Sequence, residues 1–203
     1  MTTGQEAFVH PTAVIDEGAE LGSDVKVWHF CHVRSGAVLG DGVSLGRDVY
    51  VDDGVRIGRG SRVQNGVSVF AGLQVAPHCF IGPHAIFTND QSPRAGKKSW
   101  TIVETRMETG SAIGAGAIIR CGITLGSFAM VGAGAIVTKT VPPFHLALGV
   151  PAECRQMVCA CGETFLPIAT TLAEVVRDCC KDHLQAEVYE AALAEVARLR
   201  ERA

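Results

Sequence analysis

Asn89 and His84 are the side chains best suited to chemistry, and both lie close to the point where a regular sequence pattern breaks. The amide of Asn89 can donate a hydrogen bond to a developing oxyanion or accept one from an amine. The imidazole of His84 can take up a proton from that amine, and His78, one repeat earlier, is an alternative base. Each also has a structural explanation, since asparagine often satisfies the backbone of a turn. We predict Asn89 and His84 as catalytic residues.

Other polar residues recur at intervals of 18 residues. His29, Arg47 and Asn65 form one such series, and His32 aligns with Tyr50 in another. Positions that stack on one face of a repeated structure form a polar column, and such a column needs hydrogen-bond partners. The columns can contact a sugar nucleotide or bond across a subunit interface. We predict His29, His32, Arg47 and Asn65 as substrate-binding residues.

A basic cluster follows Asn89 in the sequence and suits phosphate binding. Arg94, Lys97 and Lys98 can contact phosphates, although a solvated basic loop explains them equally well. Lys139 is a weaker candidate later in the chain. We assign Arg94 to the substrate and Lys97, Lys98 and Lys139 to a phosphate-bearing cofactor.

The eight cysteines are many for a chain in which no export signal is visible. Four of them, together with His183, could form a zinc site: Cys159, Cys161, Cys179 and Cys180. Their C-x-C and C-C spacings differ from the paired spacings of zinc ribbons. Adjacent cysteines on a helix also point about 100° apart. We therefore expect free thiols and no metal site.

A six-residue repeat must position these side chains. Every sixth residue from Val9 to Phe87 is apolar, and the phase resumes from Met107 to Val137. This period is neither helical nor that of a single strand, and it fits a short strand followed by a turn. Three units close a coil of 18 residues, and successive coils lie about 4.8 Å apart. The predicted fold class is an all-β solenoid, a left-handed parallel β-helix of hexapeptide repeats.

The repeat is interrupted once and ends well before the C-terminus. Polar residues 88–106 are predicted to form an external loop, and loops on rigid scaffolds often carry function. We place the β-helix domain at residues 1–152 and a C-terminal cap with an α-helical extension at residues 153–203. Residues 169–202 contain a partial apolar stripe and neither Pro nor Gly. They are predicted to form a helix that packs on the coil or on another subunit.

Composition excludes several classes of protein. A hydrophobic content of 47% allows one domain with a sizeable core, and the net charge of −3 comes without the basic clusters of a nucleic-acid-binding protein. Residues 121–138 are uncharged, but their glycines and fixed apolar period argue against a membrane span. Because the first ten residues show no signal peptide, we expect a cytoplasmic protein with no membrane or nucleic-acid partner.

Three segments are more specific than the repeat itself: VQNGVSV at residues 63–69, FTND-x-x-PR at residues 87–94 and AIIRCGITLG at residues 117–126. With them, residues 8–153 resemble the hexapeptide-repeat N-acetyltransferases of nucleotide-linked 3-amino sugars. The similar enzymes act on UDP-2-acetamido-3-amino-2,3-dideoxyglucuronate or on dTDP-3-amino-3,6-dideoxyhexoses.

This resemblance implies a homotrimer with active sites between subunits. It also implies acetyl-CoA as co-substrate, no metal, and direct attack of a sugar amine on the thioester. Asn89 matches the family's asparagine near the reacting amine, whereas Ala71 stands where the family often has an acidic residue. Two alternatives remain. A trimeric β-helix zinc lyase of the carbonic anhydrase type would need three converging histidines, and a non-catalytic scaffold would use the C-terminal helix to recruit a partner.

Overall fold

In the computed structural model, which describes residues 5–202, the chain winds into a parallel β-helix whose strands form three sheets. We call these sheets faces A, B and C. Residues 1–4, on which part of the signal-peptide prediction rests, and Ala203 lie outside the described residues.

Each face consists of short strands stacked along the helix axis. Face A contains β1 (Phe8–Val9), β4 (Lys26–Val27), β7 (Ser44–Leu45), β10 (Arg62–Val63), β13 (Phe80–Ile81), β16 (Ala112–Ile113) and β19 (Met130–Val131). Face B contains β2 (Val14–Ile15), β5 (His32–Val33), β8 (Tyr50–Val51), β11 (Ser68–Val69), β14 (Ile86–Phe87), β17 (Ile118–Ile119) and β20 (Ile136–Val137). Face C contains β3 (Glu20–Leu21), β6 (Val38–Leu39), β9 (Arg56–Ile57), β12 (Leu73–Val75), β15 (Thr105–Met107) and β18 (Thr124–Leu125).

The apolar residue that recurs at every sixth position, which we call the hexad residue, points inward in each strand. Leu45, Ile81 and Ile119 are fully buried, whereas Val9 and Ile15 in the first coil are only partly buried. The first coil has no preceding coil to cover it, so its inward residues gain less from burial. Strands pair with the strand 18 residues away, in parallel and in register. The predicted left-handed β-helix of hexapeptide repeats is confirmed.

Tight turns join the faces at three corners. The A–B corner contains Arg47 and His84, and the C–A corner contains Arg59 and His78. The B–C corner contains Ala71, and here the predicted external loop leaves the coil. The loop covers residues 88–104, because β15 already begins at Thr105.

The C-terminal cap begins where the repeat ends. Strand β21 (His145–Leu148) continues face A in parallel, and β22 (Glu153–Val158) and β23 (Phe165–Leu166) follow antiparallel. A 3₁₀ turn (Leu172–Glu174), α1 (Asp178–His183) and α2 (Ala186–Arg200) complete the cap.

The prediction of one continuous helix over residues 169–202 is wrong. Val175 and Val196 both lie in the small apolar core of the cap, which also contains Phe144 and Phe128. In a single helix these two valines would be about 32 Å apart. The chain therefore breaks at Arg177 and Leu184, whose backbones are extended, so that both valines can be buried in one core.

Helix α2 packs against the coils of its own chain at the C–A corner. Glu187 forms an ion pair with Arg59, and its other oxygen lies 3.7 Å from Nε2 of His78. Over residues 5–202, no helix has both the length and the apolar character needed to cross a bilayer. The uncharged residues 121–138 form strands β18 to β20 and the turns between them.

Candidate active site

Asn89 holds the B–C corner together at the base of the loop. Its Nδ2 donates a hydrogen bond to the carbonyl of Ala71 in the preceding coil at 3.2 Å. Its own carbonyl accepts from the backbone N–H of Val103 at 2.9 Å. The loop therefore leaves and re-enters the coil at Asn89. Because an amide nitrogen carries two N–H groups, the half-buried side chain keeps one donor and its oxygen for a ligand.

The loop folds into a concavity that adjoins Asn89. Arg94, Lys97 and Trp100 line it together with Asn89 and Asp90. Arg94 donates a hydrogen bond to the carbonyl of Pro93 at 2.9 Å. Two predicted phosphate-binding residues thus lie beside the predicted catalytic amide. Lys98 is exposed in the same loop, outside this lining.

Face B carries a polar network that begins at His32. Nε2 of His32 lies 3.0 Å from Oδ1 of Asp16, and Nε of Arg34 donates to Oδ2 of Asp16 at 3.0 Å. Arg34 also donates to the hydroxyl of Tyr50 at 3.2 Å, and that hydroxyl donates to Oδ1 of Asp52 at 3.0 Å. These groups satisfy one another across three successive coils.

The network continues to the catalytic candidate. Oδ2 of Asp52 accepts a hydrogen bond from the backbone N–H of Ala71 at 3.2 Å. The carbonyl of Ala71 in turn accepts a hydrogen bond from Nδ2 of Asn89. A chain of hydrogen bonds therefore runs from His32 to Asn89. Sequence reasoning missed Asp16 and Asp52, although they lie 18 residues either side of Arg34 and the coil period could have found them.

Both carboxylates of the network are held in the ionised form. The hydrogen bond from His32 and the charges of His32 and Arg34 hold the pKa of Asp16 below its usual value. Partial burial alone would raise the pKa of Asp52. The backbone N–H groups of Asp53 and Ala71, and the hydroxyl of Tyr50, outweigh burial and lower the pKa of Asp52.

The residues of the predicted column on the A–B corner line one groove. His29, Arg47 and Asn65 line it together with Trp28. Oδ1 of Asn65 accepts the backbone N–H of Arg47 at 2.9 Å, and the guanidinium of Arg47 pairs with Asp48 at 3.0 Å. The ring of His29 stacks on that of His10, with centroids 3.5 Å apart. The groove offers an imidazole, a guanidinium and an exposed indole to a ligand.

His84 lies on the same corner, one coil further. Its backbone N–H donates to the carbonyl of Asn65 at 2.9 Å. His84 has a left-handed backbone (φ 57°), and its ring lies over Gly66, where any side chain would collide with it. Gly66 therefore leaves room for the imidazole. His84 and Asn89 flank strand β14 at opposite corners of face B, and five extended residues span about 16 Å.

The remaining basic candidates lie on two different corners. Lys139 follows β20, two coils beyond Asn89 on the same B–C corner, according to the pairing of Phe87 with Ile119 and of Ile119 with Val137. That separation is about 10 Å. His78 lies on the C–A corner under α2, and burial lowers its pKa. His84 lies on the A–B corner and is the closer of the two to Asn89 in sequence.

The lyase alternative requires three histidines around one ion. Within residues 5–202, one group of three or more metal-binding side chains converges, and all of its members are cysteines. His78 and His84 lie on different corners, as the repeat predicts. The part of the chain that the structure describes therefore offers no histidine cluster that would favour the lyase.

Comparison with known proteins places this geometry in a family. A family model described as the hexapeptide repeat of succinyl-transferase matches residues 33–71 and 105–139. The chain is 34% identical over 160 residues to the dTDP-3-amino-3,6-dideoxy-α-D-galactopyranose 3-N-acetyltransferase of Aneurinibacillus thermoaerophilus. The aligned residues make up 79% of this chain and 83% of that enzyme.

Two further similarities are shorter. An acyl-[acyl-carrier-protein]–UDP-N-acetylglucosamine O-acyltransferase of Brucella ovis is 36% identical over 78 residues, which is 38% of this chain and 24% of that enzyme. The solved structure of galactoside acetyltransferase in complex with coenzyme A shares the fold, with a TM-score of 0.54 and 21% identity over 60% of this chain and 64% of that chain. Because the first similarity extends along most of both chains, this protein belongs to the hexapeptide-repeat nucleotide-sugar N-acetyltransferases.

Proposed function

We propose that the protein transfers the acetyl group of acetyl-CoA to the amino group of a nucleotide-linked 3-amino sugar. The 34% identity along 83% of an enzyme named for N-acetylation of a dTDP-linked 3-amino sugar carries this proposal. The neutral amine attacks the thioester carbonyl directly. The C–N bond forms, the C–S bond breaks and CoA leaves as the thiolate, while the proton lost by the amine passes to the proposed base His84 and from there to the thiolate.

Asn89 is the proposed positioning and oxyanion-stabilising group. One of its N–H groups is already committed to the carbonyl of Ala71, and this contact fixes the plane of the amide. The second N–H can then donate a hydrogen bond to the thioester oxygen, and the amide oxygen can accept one from the amine. A donor held in place before reaction stabilises developing charge without reorganisation during the step.

The proposed active site lies between subunits of a homotrimer. His84 and Asn89 lie about 16 Å apart on either side of β14, so both can reach one amine only if they come from different chains. Face B supports such an interface in the coils next to Asn89, since Ile86 is 51% and Phe70 37% exposed there. Apolar side chains exposed together on a folded surface commonly mark an association site.

Oligomeric state can be tested on face B directly. Ile86→Lys should shift the mass measured by light scattering from trimer to monomer, because it places a charge in the proposed interface. The matched control Arg56→Ala changes an exposed residue of face C and should leave the trimer intact. A wild-type monomer, or a trimer insensitive to Ile86→Lys, would contradict the assembly.

The two substrates are proposed to approach Asn89 from opposite ends of the B–C corner. Arg94 suits the diphosphate of the sugar nucleotide, with the A–B groove of a neighbouring subunit and His32 as further contacts. Lys97 and Lys98 in the loop and Lys139, two coils onward, suit the phosphates of CoA. Lys139 lies about 10 Å along the corner from Asn89, which matches an extended acyl donor lying parallel to the helix axis.

Thiol release tests the function. The protein is supplied with acetyl-CoA and, separately, with a dTDP-linked or a UDP-linked 3-amino sugar, and free CoA is followed with a thiol reagent. We expect release that depends on the sugar, and a sugar product heavier by one acetyl group. Acetyl-CoA alone is the control for hydrolysis. Intact trimers that release no thiol with either sugar, or with longer acyl-CoAs, would refute the proposal.

A further inference from the structure

Four cysteine sulphurs converge in the C-terminal cap, away from the proposed active site. Sγ of Cys159 lies 3.3 Å from Sγ of Cys161 and 4.0 Å from Sγ of Cys179, and Cys161 and Cys179 are 3.6 Å apart. With Cys180, all four sulphurs lie within 4.8 Å of one another. All four are free thiols.

Two separate segments bring these thiols together. Cys159 and Cys161 lie in the turn after β22, where the N–H of Gly162 donates to the carbonyl of Cys159 at 2.9 Å. Gly162 has a φ of 83°, a conformation that favours glycine. Cys179 and Cys180 lie in α1. The backbone N–H of Ala160 donates to the carbonyl of Val175 at 2.9 Å and so ties the turn to the segment before α1.

The expectation that Cys179 and Cys180 point to different places is wrong. A step of about 100° separates their Cα–Cβ bonds, but the staggered χ1 rotamers move each Sγ well away from the Cα–Cβ direction. The helix also begins directly after the extended residue Arg177. The two sulphurs therefore meet the turn from one side despite the C-C spacing.

The sulphur separations match those of ligands around a single ion. Tetrahedral zinc with Zn–S bonds of about 2.3 Å places its sulphurs about 3.8 Å apart, close to the distances in this cluster. Backbone N–H groups also point at the sulphurs: Thr164 donates to Cys159 at 3.2 Å and Arg177 donates to Cys180 at 3.4 Å. Such donors stabilise thiolates and orient them around a metal.

We propose that the cap binds one Zn²⁺ through the thiolates of Cys159, Cys161, Cys179 and Cys180. Four protein ligands fill the tetrahedral shell, so the site is structural. Cys159 and Cys180 are buried within the apolar core of the cap. That core serves only about 50 residues, and a small core of this kind commonly needs a metal or a disulfide to be stable. The metal would hold the turn after β22 to α1.

The zinc site does not take part in acetyl transfer. Cys159 and Cys161 line a cavity with His78 and Phe128, on the C–A corner. Asn89 and the loop lie on the B–C corner. The proposal is therefore independent of the proposed function and can be tested without substrate.

Metal content is the first test, on the full-length protein purified under reducing conditions without chelators. We expect about one zinc per chain by elemental mass spectrometry. Exchange with Co²⁺ should give the visible absorption of tetrahedral cobalt and the near-ultraviolet charge-transfer bands of cobalt–thiolate bonds. The cobalt spectrum reports ligand type in the wild-type protein, so it does not depend on whether a variant folds.

Serine variants locate the ligands. Cys161→Ser and Cys179→Ser should lower the zinc content at least about fivefold, because a three-thiolate site binds more weakly. The matched control is Cys154→Ser, an exposed free thiol outside the cluster, which should keep its metal. Absence of zinc in the wild type after reconstitution, iron in its place, a cobalt spectrum without thiolate bands, or equal metal loss in Cys154→Ser would overturn the proposal.

Discussion

Replacing Asn89 with alanine separates its two roles. In the folded chain the amide donates one hydrogen bond to the carbonyl of Ala71 at 3.2 Å. The backbone contact with Val103 does not involve the side chain. Asn89→Ala therefore removes one neutral hydrogen bond from the corner and, under the proposed mechanism, one donor from the transition state.

The two roles predict different magnitudes. Loss of a single neutral hydrogen bond should lower the free energy of unfolding by about 0.5–1.5 kcal/mol. Loss of an oxyanion donor should lower kcat by about 10²–10³-fold, which corresponds to roughly 2.7–4 kcal/mol in the barrier. The catalytic effect should therefore exceed the structural one by about 2 kcal/mol.

The assay measures kcat from sugar-dependent thiol release with both substrates saturating, and stability from urea denaturation. Asp41→Ala is the matched control, because Oδ1 of Asp41 accepts the backbone N–H of Ser23 at 2.7 Å on the C–A corner. This variant should lose similar stability and keep wild-type kcat.

Two outcomes would contradict a catalytic role for Asn89. One is a kcat within about tenfold of wild type, which would leave Asn89 a structural residue of the loop base. The other is an equal fall of kcat in Asp41→Ala, which would make the loss a general consequence of loosened corners.

Three further predictions concern the network, the loop and the core. Asp52→Asn should lower the free energy of unfolding at pH 7. Because folding lowers the pKa of Asp52, the ionised carboxylate stabilises the folded protein. That stabilisation is fully present above the unfolded pKa of about 3.9 and is lost as pH falls through the folded pKa. Urea midpoints of wild type and variant should therefore converge as pH falls below the folded pKa of Asp52, and a constant difference would contradict this linkage. Arg94→Ala should raise KM for the sugar nucleotide about tenfold with kcat unchanged, whereas a change in kcat alone would exclude a binding role. Ile119→Ala, at a fully buried hexad position, should cost about 2–5 kcal/mol in urea unfolding, and a smaller loss would imply that the coil collapses around the cavity.

The hexad made the coil predictable, because each inward residue is specified by its neighbours six residues away. From that spacing follow the columns 18 residues apart, and so the groove of His29, Arg47 and Asn65. The same rule applied to charged residues would have found Asp16, Arg34 and Asp52. The position of Asn89 at the loop base also follows from the point where the phase breaks.

Regular spacing does not specify contacts between segments of different type. The cap shows this most clearly: a stripe with helical spacing over residues 169–202 predicts one helix, but Val175 and Val196 must share one small core, and the chain breaks to allow it. The convergence of four cysteines likewise depends on the turn after β22 meeting α1.

The solenoid, its corners and the location of the loop follow from the six-residue repeat alone, since the period specifies the geometry of each coil. Two features required the folded structure: the link from Asp52 through Ala71 to Asn89, and the sulphur cluster. Each of these depends on the positions of side chains from distant segments. Rotamers and packing fix those positions, and local spacing in the sequence does not encode them.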